Sequence, residues 1–244
     1  MAFQVNTNVS ALQVYNNLGV HQNKAAESLS RISSGLKAAG GGDIASAGTA
    51  AILNANVQAT AIDIGLVQNQ INALQSADAV YAEGMALAAK GIQVGSSVGN
   101  AGADTTAITA QLVAMTAGMV LLSAATYNGA ALLGTTFTST IAGGMTPAAI
   151  AAVAANTTAG YTAAAAAIAD QRATNGGNIA TLQNSLQVLN AVAANQLSGL
   201  GQAQDTDIAT EMMSLTSANI MTEAATAMLA QAMQLPNAVL KLLQ

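Results

Sequence analysis

Hydrophobicity without aromatic side chains is the feature that most restricts how this chain folds. Of its 244 residues 52% are hydrophobic, yet only 2% are aromatic and none is Trp. The apolar content is mostly Ala, with Leu, Ile, Val and Met beside it. Small side chains bury little area each, at roughly 25 cal/mol per Å², but Ala is the best helix former. Long, closely packed helices are how such a composition gathers enough contact. The predicted fold class is mainly α: an elongated rod of long helices from both chain ends, a helical bundle or coiled coil, with a small β-hairpin and loop at the middle.

Charge is scarce. Six Lys or Arg against eleven Asp or Glu make 7% of the chain and a net charge of −5. That balance repels a phosphate backbone, and no basic stripe or aromatic platform offsets it, so nucleic acid is not an expected partner. A surface so poor in charge is expected to be covered by neighbouring subunits. Cysteine is absent, which removes disulfides and thiolate ligands. The single His21 cannot build a histidine cluster and reads as a polar residue on a solvated helix face. No metal and no cofactor are expected. Met1 to Ser10 has neither a basic n-region nor an apolar h-region, so no cleavable N-terminal signal is expected. The charge-free run Thr105 to Ala169 contains Ala107 to Ala125, about the length of a membrane span. That stretch leans on Ala rather than Leu and has no Lys or Arg flank. It reads as a buried helix of a soluble assembly, without membrane insertion.

Helical rhythm dominates both halves. Ala25, Leu29, Ile32 and Leu36 step by four, three and four, a stripe predicted to end near Gly40, Gly41 and Gly42. Val67, Ile71, Leu74, Tyr81 and Met85 form a second stripe with Asp78 in one seam position. The Gly95 to Gly102 region predicts a turn, and a third helix over Ala107 to Ala125 ends before the Asn128-Gly129 turn signal. Thr135 to Thr140 has strand-like composition broken by Gly143, Gly144 and Pro147, which predicts a short hairpin. Ala148 to Ala169 predicts a short helix and a loop, and Gly176 and Gly177 are expected to weaken any helix crossing them.

The rhythm returns through Leu182, Leu186, Leu189 and Ala193, then Ile208, Met212 and Leu215, and finally Met228, Ala232, Leu235, Val239 and Leu242. The last stripe needs a partner from earlier in the chain or from another molecule. Charge suggests the first forty residues: Lys24, Arg31 and Lys37 there oppose Asp205, Asp207, Glu211 and Glu223. Exposed pairs supply only about 0.2 to 1 kcal/mol each, so apolar seams must supply most of the stability. The two ends are expected to pack side by side.

No catalytic constellation is visible. Asp205 and Asp207 lie two residues apart and do not face each other on a helix, so helix-start capping is the plainer reading. Gly40 to Gly42 lacks the Lys-Ser or Lys-Thr and the preceding strand of a phosphate loop. Ser33 and Ser34 have no His placed to activate them.

The two ends resemble bacterial flagellin. Val5, Asn6, Thr7 and Asn8 resemble its opening, with Asn16, Asn17 and Leu18 following at the expected distance. Arg31, Ile32, Ser33, Ser34, Gly35, Leu36 and Lys37 match its Arg-Leu-Ser-Ser-Gly-Leu-Arg element, and Asp205, Asp207, Ala209, Thr210 and Glu211 resemble its Asp-x-Asp-x-Ala-Thr-Glu element. Leu229 to Leu243, with Pro236 among them, resemble its terminal helix. Two departures stand out. Leu200 and Gln202 occupy the places of an arginine pair, and Ile44 replaces the second of two aspartates after Asp43.

The resemblance implies a non-enzymatic structural subunit of the extracellular flagellar filament, exported unfolded and self-assembling for motility. It divides the chain into a terminal assembly domain (1–44 and 205–244), a helical rod domain (45–129 and 170–204) and a short variable hairpin and loop (130–169). The expected partners are further copies of the chain, the flagellar export apparatus, an export chaperone, and hook-associated and cap proteins. The expected assembly seam is Leu29, Ile32, Leu36, Ile208, Met212, Leu215, Met228, Ala232, Leu235, Val239 and Leu242. In the stretch that an animal immune receptor recognises in the family, Ala88 stands for an Arg, Gly91 for a Glu and Ile92 for a Leu, beside Lys90, which implies weak recognition. A hook-filament junction protein and, from another class, a membrane-binding or pore-forming helical protein are the rival readings.

Overall fold

The computed structural model describes residues 8–41, 43–100, 102–139 and 143–242, with backbone alone at 139, 143 and 235–242. Five α-helices carry the fold: α1 Val9–Ser34, α2 Ile44–Ser96, α3 Thr105–Ser123, α4 Thr158–Gln204 and α5 Ile208–Leu242. Between α3 and α4 lie two antiparallel strand pairs, β1 Thr126–Tyr127 with β2 Ala130–Ala131, and β3 Phe137–Ser139 with β4 Gly143–Met145. The chain divides into two compact units, one of residues 1–57 and 195–244, the other of residues 58–194.

Short polar side chains start the helices. Asn8 Oδ1 accepts the Ala11 N–H at 3.0 Å at the head of α1, and Asp104 Oδ1 accepts from Thr106 and Ala107 at 3.0 and 3.1 Å at the head of α3. Each satisfies backbone donors that have no partner within the helix. The first helix ends earlier than Gly40. Gly35, left-handed at φ 72°, donates its N–H to the Arg31 carbonyl at 2.8 Å and closes α1 at Ser34.

In the terminal unit α1 packs against α5. The covered positions of α1 include Ala11, Val14, Leu18, His21, Ala25, Ser28 and Ile32, alternately three and four apart. Those of α5 follow the same rule at Glu211, Leu215, Ala218, Thr222, Ala225, Leu229 and Ala232. Such a 3.5-residue period is the seam of a coiled coil. The pair is antiparallel: Asn8 Nδ2 donates to the Ala232 carbonyl at 2.7 Å, Ser28 Oγ to Ser214 Oγ at 3.4 Å, and Arg31 meets Glu211 at 3.8 Å. His21 is half-buried along this seam, not on a solvated face.

The second unit repeats the principle with tighter packing. Buried positions on α2 run Thr60, Asp63, Val67, Gln70, Leu74, Ala77, Tyr81, Gly84, Ala88, Gly91 and Gly95, again three and four apart. On α4, Tyr161, Ile168, Asn175, Leu182 and Leu189 are buried at every seventh residue. The helices run antiparallel, as Asp78 pairs with Arg172 at 2.9 Å, Asn175 Nδ2 donates to the Leu74 carbonyl at 2.7 Å, and Ile168 lies over Gly84. Position 77, an Ala, takes the seam and leaves Asp78 at its border to hold Arg172. Gly176 and Gly177 do not interrupt α4. They have open space around them, and the helix is held by its buried neighbours Asn175 and Leu182. Tertiary packing outweighs a glycine cost of about 1 kcal/mol each.

Asn128 (φ 49°) and Gly129 (φ 79°) supply the two left-handed residues of the β1–β2 turn. The segment after β4 runs as a loop to Thr157 and covers α2 and α4. Tyr81 Oη donates to the Ala148 carbonyl and Gln171 Nε2 to that of Ala149, both at 2.6 Å, and Ile150 is buried in the core. The helical stretches Ile44–Gly99 and Thr105–Ser123 are long and apolar enough to cross a membrane.

Candidate assembly surface

The two chain-end motifs meet in the terminal unit. After Gly35 turns the backbone, Leu36 forms an isolated antiparallel bridge with Asp205. The Thr206 N–H donates to the Gly35 carbonyl at 2.8 Å and the Lys37 N–H to the Gln204 carbonyl at 2.9 Å. Lys37 Nζ donates to the carbonyl of Gln202. Arg31 bridges Glu27 on its own helix and Glu211 on α5. Ser34 Oγ accepts the Leu36 N–H at 3.2 Å, so one Ser of the Ser-Ser-Gly element shapes the exit from α1, while Ser33 is exposed. The motifs therefore act as a clasp between α1 and the α4–α5 corner, built largely from backbone hydrogen bonds.

Asp207 caps α5. Hydrogen bonds from the Thr210 hydroxyl, the Thr210 N–H and the Ala209 N–H hold its carboxyl below the usual carboxylate range. Asp43 does the same for α2: the Ser46 hydroxyl and then the Ser46 N–H lower its pKa. Asp43 is thus a helix cap. Asn8 both caps α1 and ties it to α5. Asn6 and Thr7 lie outside the described residues, as do the side chains of Leu235, Pro236, Val239 and Leu242.

The expected seam residues separate into two groups. Ile32, Leu36, Leu215 and Ala232 are half-buried or buried within the chain. Leu29, Ile208, Met212 and Met228 instead face outward, 58, 52, 47 and 58% exposed. Further apolar side chains share that exposure, Leu12, Tyr15 and Val20 on α1 and Met213, Ile220, Met221 and Met233 on α5. Met212, Met213, Ile220 and Met221 line a shallow groove with Thr216 and Ser217. Between Met212 and Met233 the only charged residue is Glu223. Ser28 carries no apolar signal, yet its spacing of three, four and three from Leu18 through His21 and Ala25 places it on the seam.

In the second unit Ala88 and Gly91 are buried, Ile92 is half-buried and Lys90 is exposed. The first three belong to the α2 face that packs on the core around Tyr161, and among residues 88–92 Lys90 alone offers a polar side chain to solvent. Among the described residues no three His, Asp or Glu side chains gather as metal ligands would.

The bacterial flagellin C-terminal helical region matches residues 158–243, from the start of α4 through α5. The B-type flagellin of Pseudomonas aeruginosa is 40% identical over 81 residues, which are 33% of this chain and 17% of that protein. The chain thus matches about a sixth of the length of that relative. Flagellins are structural, non-enzymatic proteins, and the matched helices are those that carry the clasp, the α5 cap and the outward methionines. Through its C-terminal helical region this chain is similar to the bacterial flagellins.

Proposed function

We propose that this chain is the structural subunit of an extracellular flagellar filament, exported and then self-assembled through its terminal helices. The observation that carries the reading is the two-sidedness of the α1–α5 pair. Its inner faces close on each other through Leu18, Ser28, Ala218 and Ala232, while its outer faces leave Leu29, Ile208, Met212 and Met228 in water. Apolar area of that extent, with so few charges around it, favours burial against further copies. In this reading 1–44 and 205–244 form the assembly layer, 45–129 and 170–204 the rod layer, and 130–169 the variable outer part. The absence of disulfides suits passage through an export channel in an unfolded state, and the ordering cost of the terminal helices is met by interface burial. The export apparatus, an export chaperone, and hook-associated and cap proteins are the partners this reading names.

Salt-induced polymerisation of the purified chain, followed by sedimentation and electron microscopy, tests it. Long filaments of uniform diameter are expected. A chain that stays monomeric and floats with liposomes would support the membrane-binding reading instead, to which the long apolar helices α2 and α3 would then belong.

A further inference from the structure

Among the described residues, every exposed methionine lies on one helix. Met212, Met213, Met221, Met228 and Met233 of α5 are 47, 66, 49, 58 and 62% exposed. Met85, Met115 and Met145 are half-buried in the other unit, and Met119 is 3% exposed in its core. The chain has no Cys and no Trp, so these thioethers are the first readily oxidised side chains that a peroxide meets. The face that α5 turns to α1 uses Leu215, Ala218, Thr222, Ala225, Leu229 and Ala232, and no methionine. Chemistry at the outer sulfurs therefore leaves the intrachain seam untouched.

We propose that this methionine row is an oxidation site that controls assembly: hydroperoxides convert the exposed thioethers of the free subunit to sulfoxides and so block polymerisation. The proposal rests on the reading of the outer α5 face as a contact between copies. In the reaction the thioether sulfur attacks one peroxide oxygen, the O–O bond breaks, and an S–O bond forms. Sulfur is oxidised by two electrons, the peroxide is reduced, and proton transfer releases water, or an alcohol from an organic peroxide. No protein base is needed. The product places a strong hydrogen-bond acceptor on a surface that assembly would dehydrate, where an acceptor left without a donor is costly. Packed copies cover the same sulfurs, so the polymer is protected and the free subunit is the sensitive form.

The test treats the full-length monomer with hydrogen peroxide to partial oxidation, induces polymerisation with salt, and separates pellet from supernatant. Peptide mass spectrometry then maps sulfoxide in each fraction. Sulfoxide at the five α5 methionines should be depleted from the pellet by roughly tenfold or more, sulfoxide at Met85, Met115 and Met145 should be evenly divided, and Met119 should stay reduced. Far-UV circular dichroism should be unchanged, and methionine sulfoxide reductases should restore polymerisation. Equal sulfoxide at the α5 methionines in pellet and supernatant overturns the proposal, as does failure of the reductases to restore assembly. Untreated chain that forms no polymer would instead overturn the assembly reading on which the proposal stands.

Discussion

The ring of Tyr161 occupies the space that a side chain on residue 91 would need: a Cβ added to Gly91 would lie 2.3 Å from the Tyr161 Cδ1. The ring is held there by its hydroxyl, which donates to the Leu112 carbonyl. Gly91→Ala is expected to lower stability by about 1 to 3 kcal/mol through overpacking, outweighing the roughly 1 kcal/mol that Ala gains in a helix. Gly176→Ala meets open space within the same fold and should stabilise by about 0.5 to 1 kcal/mol. Thermal melts of the two variants should move in opposite directions.

The same packing bears on immune recognition. Ala88 and Gly91 are buried, so the positions where an Arg and a Glu would reach a receptor present no polar group. A reporter-cell assay with the monomer is expected to give a weaker response than a flagellin that carries both residues. An equal response would show that recognition uses other positions.

Tyr81 ties stability to alkaline pH. Burial, and then the nearby Asp78 carboxylate, push its pKa from 10.0 up to about 12. Between those values the native state keeps a proton that the unfolded chain has lost, so the contribution is complete below about pH 10 and is lost as pH rises through about 12. The shift corresponds to about 3 kcal/mol. Urea unfolding at rising pH should show this loss in the parent chain, and Tyr81→Phe should remove that part of the pH dependence.

Asp207 works in the opposite direction. Its lowered pKa means that the cap is present above the usual carboxylate range and is lost as pH falls through the lowered value. The protection factors of the Ala209 and Thr210 amides, which donate to it, should fall on acidification, once the slower intrinsic exchange at low pH is divided out, and in Asp207→Ala. Asp207→Asn should retain part of the protection, since an amide oxygen still accepts.

Much of this architecture was legible before any coordinates, because helical period and capping are local. The Asn128-Gly129 turn, a strand at Phe137, the stripe through Val67, Leu74 and Tyr81, and the capping role of Asp207 follow from residue type and spacing, whereas Gly143 and Gly144, expected to break that strand, pair with it as β4. The register of the terminal seam was harder. Hydrophobicity favours Leu29 over Ser28, yet close-packed helices take the small Ser28, 3% exposed, and leave Leu29 outside. Gly176 and Gly177 read as weakening a helix because propensity is local, whereas Asn175 and Leu182, which hold α4 through that region, are set by a partner about a hundred residues away. The early end of α1 at Gly35 was hidden by three glycines just beyond it.

The central claim is that the outer faces of α1 and α5, exposed in the single chain, are what copies use to bind each other. Leu29→Asp and Met228→Asp place a charge on side chains that are each 58% exposed, which should change monomer stability by no more than about 0.5 kcal/mol. Buried and unpaired in a polymer, the same charge costs several kcal/mol. The deciding measurement is the sedimentable polymer formed by each variant after salt induction, taken beside its far-UV circular dichroism. The account predicts an unchanged helical spectrum with polymer lost; filaments of normal length and yield from both variants would contradict it.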